Sequence, residues 1–150
     1  MITAAVTNLN RKRRVNVREV KRLAVAAAGR RYPGRSLHLQ IVFVTDVLIR
    51  KLNMRFRKRN RATDVLCFCF FEGMKFRGMG APNRADIYIS TDTVSANAGR
   101  FGTAYEDEVR TCVVHGVLHV CGFRDGTTSE KKEMRKQEKL MLAGFRGKRR

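Results

Sequence analysis

The sequence lacks any apolar run of about 18 residues, so no segment is built to cross a bilayer as a helix. The N-terminus, M-I-T-A-A-V-T-N-L-N-R-K-R-R, lacks the apolar core of a secretory signal. It is basic and free of acidic residues up to Glu19, as mitochondrial presequences are. Against that, the apolar pattern from Ile2 to Val6 reads as a first strand, which leaves no room for a cleaved segment. Acidic residues are scarce: 13 Asp+Glu against 32 Lys+Arg leave a formal net charge of +19. That surplus repels itself in a compact chain, and polyanions relieve it. RNA or an RNA-rich particle is the first candidate partner, an anionic membrane surface the second. There are only four cysteines, none in a C-x-x-C pair, which gives no support to a zinc ribbon. Cys67 and Cys69 are two apart and share one face of a strand, where neighbours rarely bridge. With Cys112 and Cys121 they read as buried thiols in a reducing compartment. No repeats are visible.

What is present is an ordinary apolar content over 150 residues, enough for one domain with its own core. Ile2 to Asn8 reads as a strand, followed by a basic turn over Asn10 to Arg14. Val17 to Gly29 carries apolar residues at helical spacing and ends at Gly29. After a Tyr32-Pro33-Gly34 turn, Leu37 to Val44 reads as a strand running into the core. Thr45 or Asp46 caps a helix to about Asn53. Arg55, Arg57, Lys58, Arg59 and Arg61 then form a dense basic cluster. Thr63 to Phe71 is an apolar and aromatic strand, Glu72 to Asn83 a glycine-rich loop, and Ala85 to Ser90 another strand. Ser90 or Thr91 caps a helix over Asp92 to Phe101. Thr103 with Glu106 forms a capping box for a helix reaching Cys121, and Thr128 or Ser129 opens a last helix to Ala143. The expected fold is an α/β single small domain over residues 1–145, a mixed sheet of about four strands flanked by helices. Residues 146–150 form a basic, disordered tail.

One helix carries chemistry. His115 and His119 stand at i, i+4, so both imidazoles leave one face. Gly122 suits the left-handed conformation that ends a helix, and the chain can then return Asp125 to the same point. Two helical histidines and a third ligand beyond a glycine turn can hold one Zn²⁺ with a coordination position left open. Val117, Leu118 and Val120 put the pair beside a buried face. The zinc-protease pattern H-E-x-x-H would require glutamate where this chain has Gly116, which argues against a peptidase. Glycine costs about 1 kcal/mol relative to alanine inside a helix. Gly116 therefore needs another reason, such as close approach of a strand or substrate.

The segment H-G-V-L-H-V-C-G-F-R-D resembles the signature H-G-x-L-H-L-x-G-[YF]-x-H of the YbeY family of metal-dependent endoribonucleases. Leu52, Asn53 and Arg57, with T-D-V-L-C-F at Thr63 to Phe68, resemble that family's second motif, and A-D-I-Y-I-S at Ala85 to Ser90 is similar to a third. The resemblance implies a small mixed sheet flanked by helices, with a zinc-hydrolase-like histidine helix. It also implies His115, His119 and position 125 as metal ligands, Asp125 standing where the family has histidine. Arg57 falls on the arginine implied to act on the substrate phosphate, as a guanidinium beside a metal site can. Cys67 and Cys69 replace the family's serine and proline, and Ala85 its glycine.

The leading expectation is a Zn²⁺-dependent single-strand endoribonuclease in ribosomal RNA maturation, acting on the pre-ribosomal small subunit. Arg55, Lys58, Arg59 and Arg61 would hold RNA through salt-sensitive phosphate contacts. The alternative is a catalytically weakened assembly factor binding pre-ribosomal RNA and a small-subunit ribosomal protein through the same surface. A peptide hydrolase ranks third. The expected compartment is the bacterial cytoplasm, with mitochondrion or plastid as the alternative.

Overall fold

The computed structural model describes residues 1–70 and 82–147. Four segments rich in β-branched and aromatic residues pair into one sheet: β1 (Ile2–Asn8), β2 (Leu37–Val44), β3 (Val65–Phe70) and β4 (Arg84–Ser90), in the order β1-β2-β4-β3. β1, β2 and β4 are parallel, with Ile2 opposite Leu37 and Val42 opposite Tyr88. β3 runs antiparallel to β4, with Cys67 opposite Ile87, and forms one edge. The remaining elements are α1 (Val17–Arg31), α2 (Asp46–Arg57), α3 (Thr91–Phe101), α4 (Tyr105–Val120) and α5 (Thr128–Gly147).

Alternation along the strands sends side chains to two cores. Leu37, Leu39, Ile41 and Phe43 of β2, with Ala85, Ile87 and Ile89 of β4, are buried in one cluster with residues of α1, α4 and α5. On the other face α2 buries Ile49 with Leu66, against Val42, Phe68 and Tyr88. Phe68 stacks edge-on with Phe56 at 5.2 Å and with Tyr88 at 5.9 Å. The expected mixed four-stranded sheet flanked by helices is what the chain forms.

Several element ends differ from expectation. Gly29 does not end α1, which continues to Arg31, because that glycine keeps helical backbone and nothing crowds it. α2 runs past Asn53 to Arg57, closed by Lys58 in the left-handed conformation (φ 56°). The helix outlasts its apolar stripe because Phe56 still packs on Phe68. Thr103 does not cap α4: the N-cap is Ala104, which makes no side-chain cap bond. The Thr103 hydroxyl instead donates to Glu108 at 3.3 Å. The acidic first turn of Glu106, Asp107 and Glu108 meets the positive end of the helix dipole in its place. α5 passes Ala143 to Gly147, and its Arg146 donates to Asp107 at 3.0 Å. Of the expected loop only Pro82 and Asn83 lie inside the described residues, and residues 148–150 of the expected tail lie outside them. Among the described residues no helix is long and apolar enough to cross a membrane.

The cysteines also depart from a uniformly buried set. All four are free thiols, but only Cys112 is buried, Cys67 and Cys121 are half-buried and Cys69 is exposed. β3 is an edge strand, and its Cys67–Cys69 face lines a cleft rather than a core. Burial pushes the Cys67 and Cys121 thiols up to about 12, so neither is a nucleophile at neutral pH.

Candidate metal centre

α4 packs directly on the sheet, and Gly116 is what allows it. A methyl group there would lie 2.8 Å from Ile87 Cγ2 and 3.3 Å from Val65 Cγ1. The close approach expected of Gly116 is therefore to β3 and β4. It also lets the Cys67 thiol donate to the Gly116 carbonyl at 3.5 Å, fastening the edge strand to the histidine helix.

One turn apart on α4, His115 and His119 bring their Nε2 atoms to 2.9 Å. Cys121 closes the helix and Gly122 turns the chain at φ 94°, as its position predicted. The turn returns Asp125 so that its Oδ2 lies 3.4 Å from both Nε2 atoms. The aspartate thus reaches both imidazoles despite its short side chain. Ligand atoms of all three residues lie within 4.8 Å of one another.

The back of each ring fixes which nitrogen faces the centre. His119 Nδ1 lies 3.0 Å from the Phe123 carbonyl, which can only accept, so Nδ1 carries the hydrogen. His115 Nδ1 lies 2.6 Å from Glu138 Oε1 of α5 and donates to that carboxylate in the same way. Both rings therefore turn an Nε2 lone pair toward the other. Two lone pairs at that separation repel unless a cation or proton lies between them.

Tetrahedral zinc with ligand bonds of about 2.0–2.1 Å spaces its ligand atoms about 3.3 Å apart. The carboxylate already sits at that spacing, and the imidazoles need to part by only a few tenths of an ångström. The donor set fits a divalent metal. Burial drives both histidines towards the neutral form. At His115 the Glu138 hydrogen bond and charge, with Asp64 and Asp125, outweigh burial and raise the pKa above 6.5. At His119 burial and the neighbouring His115 prevail over Asp125 and lower it.

The centre opens into a cleft of about 540 Å³ running along β3. Arg57, Arg59 and Arg61 line it, as do His115, His119, Asp125 and Arg124. Arg57 ends α2 and donates to the Cys67 carbonyl at 3.4 Å. Buried Asn53 explains how the loop is held: its amide donates to the Arg61 carbonyl at 2.9 Å, and its own carbonyl accepts from Arg59 N at 3.3 Å. Two other residues of the basic cluster stand apart. Arg55 lines a separate hollow with Val47, Lys51 and Met54, and Lys58 is not among the cleft residues.

Sequence reasoning missed Glu138 and Arg124. A signal for Glu138 existed: it interrupts the buried stripe Met134, Met141 and Phe145 on α5, and carboxylates are rarely buried without a partner. Arg124 carried none beyond its place beside Asp125.

These features define a class: a one-domain α/β protein whose central helix presents a His-His-carboxylate set, able to hold a metal, beside an arginine-lined cleft on a sheet edge. A family model described as Endoribonuclease YbeY matches residues 5–146. The chain is 34% identical over 107 residues to Endoribonuclease YbeY of Christiangramia forsetii, covering 71% of this chain and 70% of that one. It is 30% identical over 132 residues to the protein of that name in Bacteroides thetaiotaomicron, covering 88% of each. The solution structure of TM1509 from Thermotoga maritima shares the fold, with a TM-score of 0.59 and 24% identity over 99% of this chain and 94% of that one. The chain belongs to the YbeY family.

Proposed function

We propose that this protein is a Zn²⁺-dependent endoribonuclease that cuts single-stranded RNA during ribosomal RNA maturation, acting on the pre-ribosomal small subunit in the bacterial cytoplasm. The family supports the reaction class. The observation that carries the metal dependence is the pair of Nε2 atoms converging to 2.9 Å, with Asp125 Oδ2 3.4 Å from each. When bound, the ion supplies a Lewis acid that makes water acidic enough to attack a phosphodiester near neutral pH.

The chain's own residues do the rest. Glu138 and the Phe123 carbonyl hold the two Nδ1–H groups, keeping both Nε2 atoms free and aimed at the centre. Arg57 lines the same cleft and presents a guanidinium to the scissile phosphate. There it binds the ground state and stabilises charge building on the phosphoryl oxygens. Arg59 and Arg61, held by Asn53, grip neighbouring phosphates, and Arg55 and Lys58 add to the local positive field. A small-subunit ribosomal protein would deliver the particle to this surface.

Metal analysis of the purified protein, paired with cleavage of a single-stranded RNA, tests the reading. One equivalent of bound zinc, lost in Asp125→Ala, and cleavage abolished in Arg57→Ala with RNA still bound are expected. A zinc-free protein that binds RNA without cutting it would leave the assembly factor instead.

A further inference from the structure

We propose that the RNA path does not stop at the metal centre but continues past the far end of β3 across Arg31, Tyr32 and Arg35. Single-stranded RNA is then held on both sides of the scissile phosphate. This rests on the reading of the protein as one that acts on RNA.

Two hollows meet at one wall. The main cleft is lined by Arg59 and Arg61, by Cys67 and Cys69 of β3, and by Gly122 and Phe123. A second hollow of about 370 Å³ starts from those same two residues and is lined by Arg30, Arg31, Tyr32 and Cys121. β3 is 6 residues long and spans about 20 Å. A strand leaving the centre along β3 runs directly into the second hollow.

The chemistry at that end suits a nucleic acid strand. The Arg31 guanidinium lies 4.4 Å from the centroid of the Phe123 ring, and Arg35 lies 6.0 Å from that of Tyr32. An arginine pinned over an aromatic face gives up less side-chain freedom when it takes a phosphate. The Tyr32 hydroxyl donates to the Val120 carbonyl at 3.4 Å, which fixes this wall to the end of the histidine helix. Elsewhere Arg13, Arg84, Arg110 and Arg146 are engaged by carboxylates. Among the described residues Arg30, Arg31 and Arg35 have no such partner, so their charges are available to an incoming anion. Guanidinium and aromatic planes side by side are how proteins hold single strands without reading sequence.

The test uses the full-length protein with EDTA to prevent cleavage, and labelled oligouridylates of about 4 and about 12 nucleotides, lengths within the span of known single-strand site sizes. Binding is followed by fluorescence anisotropy as salt is varied. Wild-type protein should bind the longer oligomer at least tenfold more tightly. Arg31→Glu with Arg35→Glu should remove most of that advantage while leaving the short oligomer bound. It should also flatten the log affinity–log salt slope by about 1.4, the value for two phosphate contacts on a single strand. Arg31→Lys with Arg35→Lys keeps the charges and should keep the slope, which separates phosphate contact from a folding defect. An unchanged slope and length dependence in the Glu variant, with binding lost in Arg59→Glu plus Arg61→Glu, would overturn the second half of the path and leave the proposed function standing. Failure of the wild type to bind either oligomer would overturn both.

Discussion

Glu138 holds the candidate metal centre from behind His115. Replacing it with alanine frees His115 to turn and removes the charge that strengthens its Nε2 as a donor. Zinc affinity at pH 8 should fall by roughly 10- to 100-fold, measured by competition with a chelating dye. Glu138→Gln keeps an acceptor oxygen and should lose less. The pH dependence runs the other way. His115 has a raised pKa, so on the proposed reading protons should compete with zinc in the wild type already above pH 6.5, and affinity should fall as pH drops through that raised pKa. Removing the carboxylate lowers the His115 pKa, so Glu138→Ala should show a shallower fall, and an equally steep one would show that the carboxylate does not set His115. Gly116 is the second residue with a definite cost. Alanine there gains about 1 kcal/mol of helix propensity. The new methyl meets Ile87 Cγ2 at 2.8 Å in a buried strand, and such overpacking costs about 1–3 kcal/mol. Net destabilisation of about 1 kcal/mol in urea unfolding is expected, and a raised midpoint would mean that the helix can lift off the sheet freely. Gly116 and Asp125 were legible because each breaks a local pattern next to the histidines. Glu138 gave a weaker signal, because its partner lies on another helix and only its place in the apolar stripe hinted that it was half-buried.

Among the elements, α4 does most to position the site and starts least well. Its N-cap, Ala104, is exposed and extended (φ −70°, ψ 143°), the backbone a capping side chain needs. Ala104→Ser should stabilise the protein by about 1 kcal/mol, read as a rise in melting temperature without change in zinc affinity. A null result would mean that the acidic first turn already satisfies the free N–H groups. Among the described residues, sequence signals placed each strand and helix but misplaced several ends, for one physical reason. Thr103 and Glu106 have the spacing of a capping box, yet the chain enters the helix one residue later and Thr103 bonds Glu108 instead. Likewise the apolar spacing of α2 fades after Leu52, while contact between Phe56 and Phe68 carries the helix on to Arg57. Local pattern names an element; tertiary contacts set where it stops. The extension of α2 delivers Arg57 to the cleft.

At the scale of the whole molecule, a net charge of +19 on 150 residues was plain in the sequence, but its distribution was not. Arg55 and Arg59 are close in sequence yet line different hollows, whereas Arg31 and Phe123 are distant in sequence yet stack. Unpaired like charges destabilise the folded chain, and the same charges attract RNA, so salt should act on stability and binding in opposite directions. Raising sodium chloride from about 0.1 M to about 1 M shortens the screening length from about 10 Å to about 3 Å. That weakens self-repulsion, and the melting temperature of the free protein should rise by several degrees. RNA affinity should collapse over the same range through loss of counterion release. A single-stranded oligomer should therefore raise the melting temperature at 0.1 M, by binding only the folded state, and leave it unchanged at 1 M. Thermal melts with and without RNA across the salt series would read both effects. A melting temperature that falls with salt would mean that the folded protein gains more from its few ion pairs, such as Glu19 with Arg110, than it loses to its surplus of arginine and lysine.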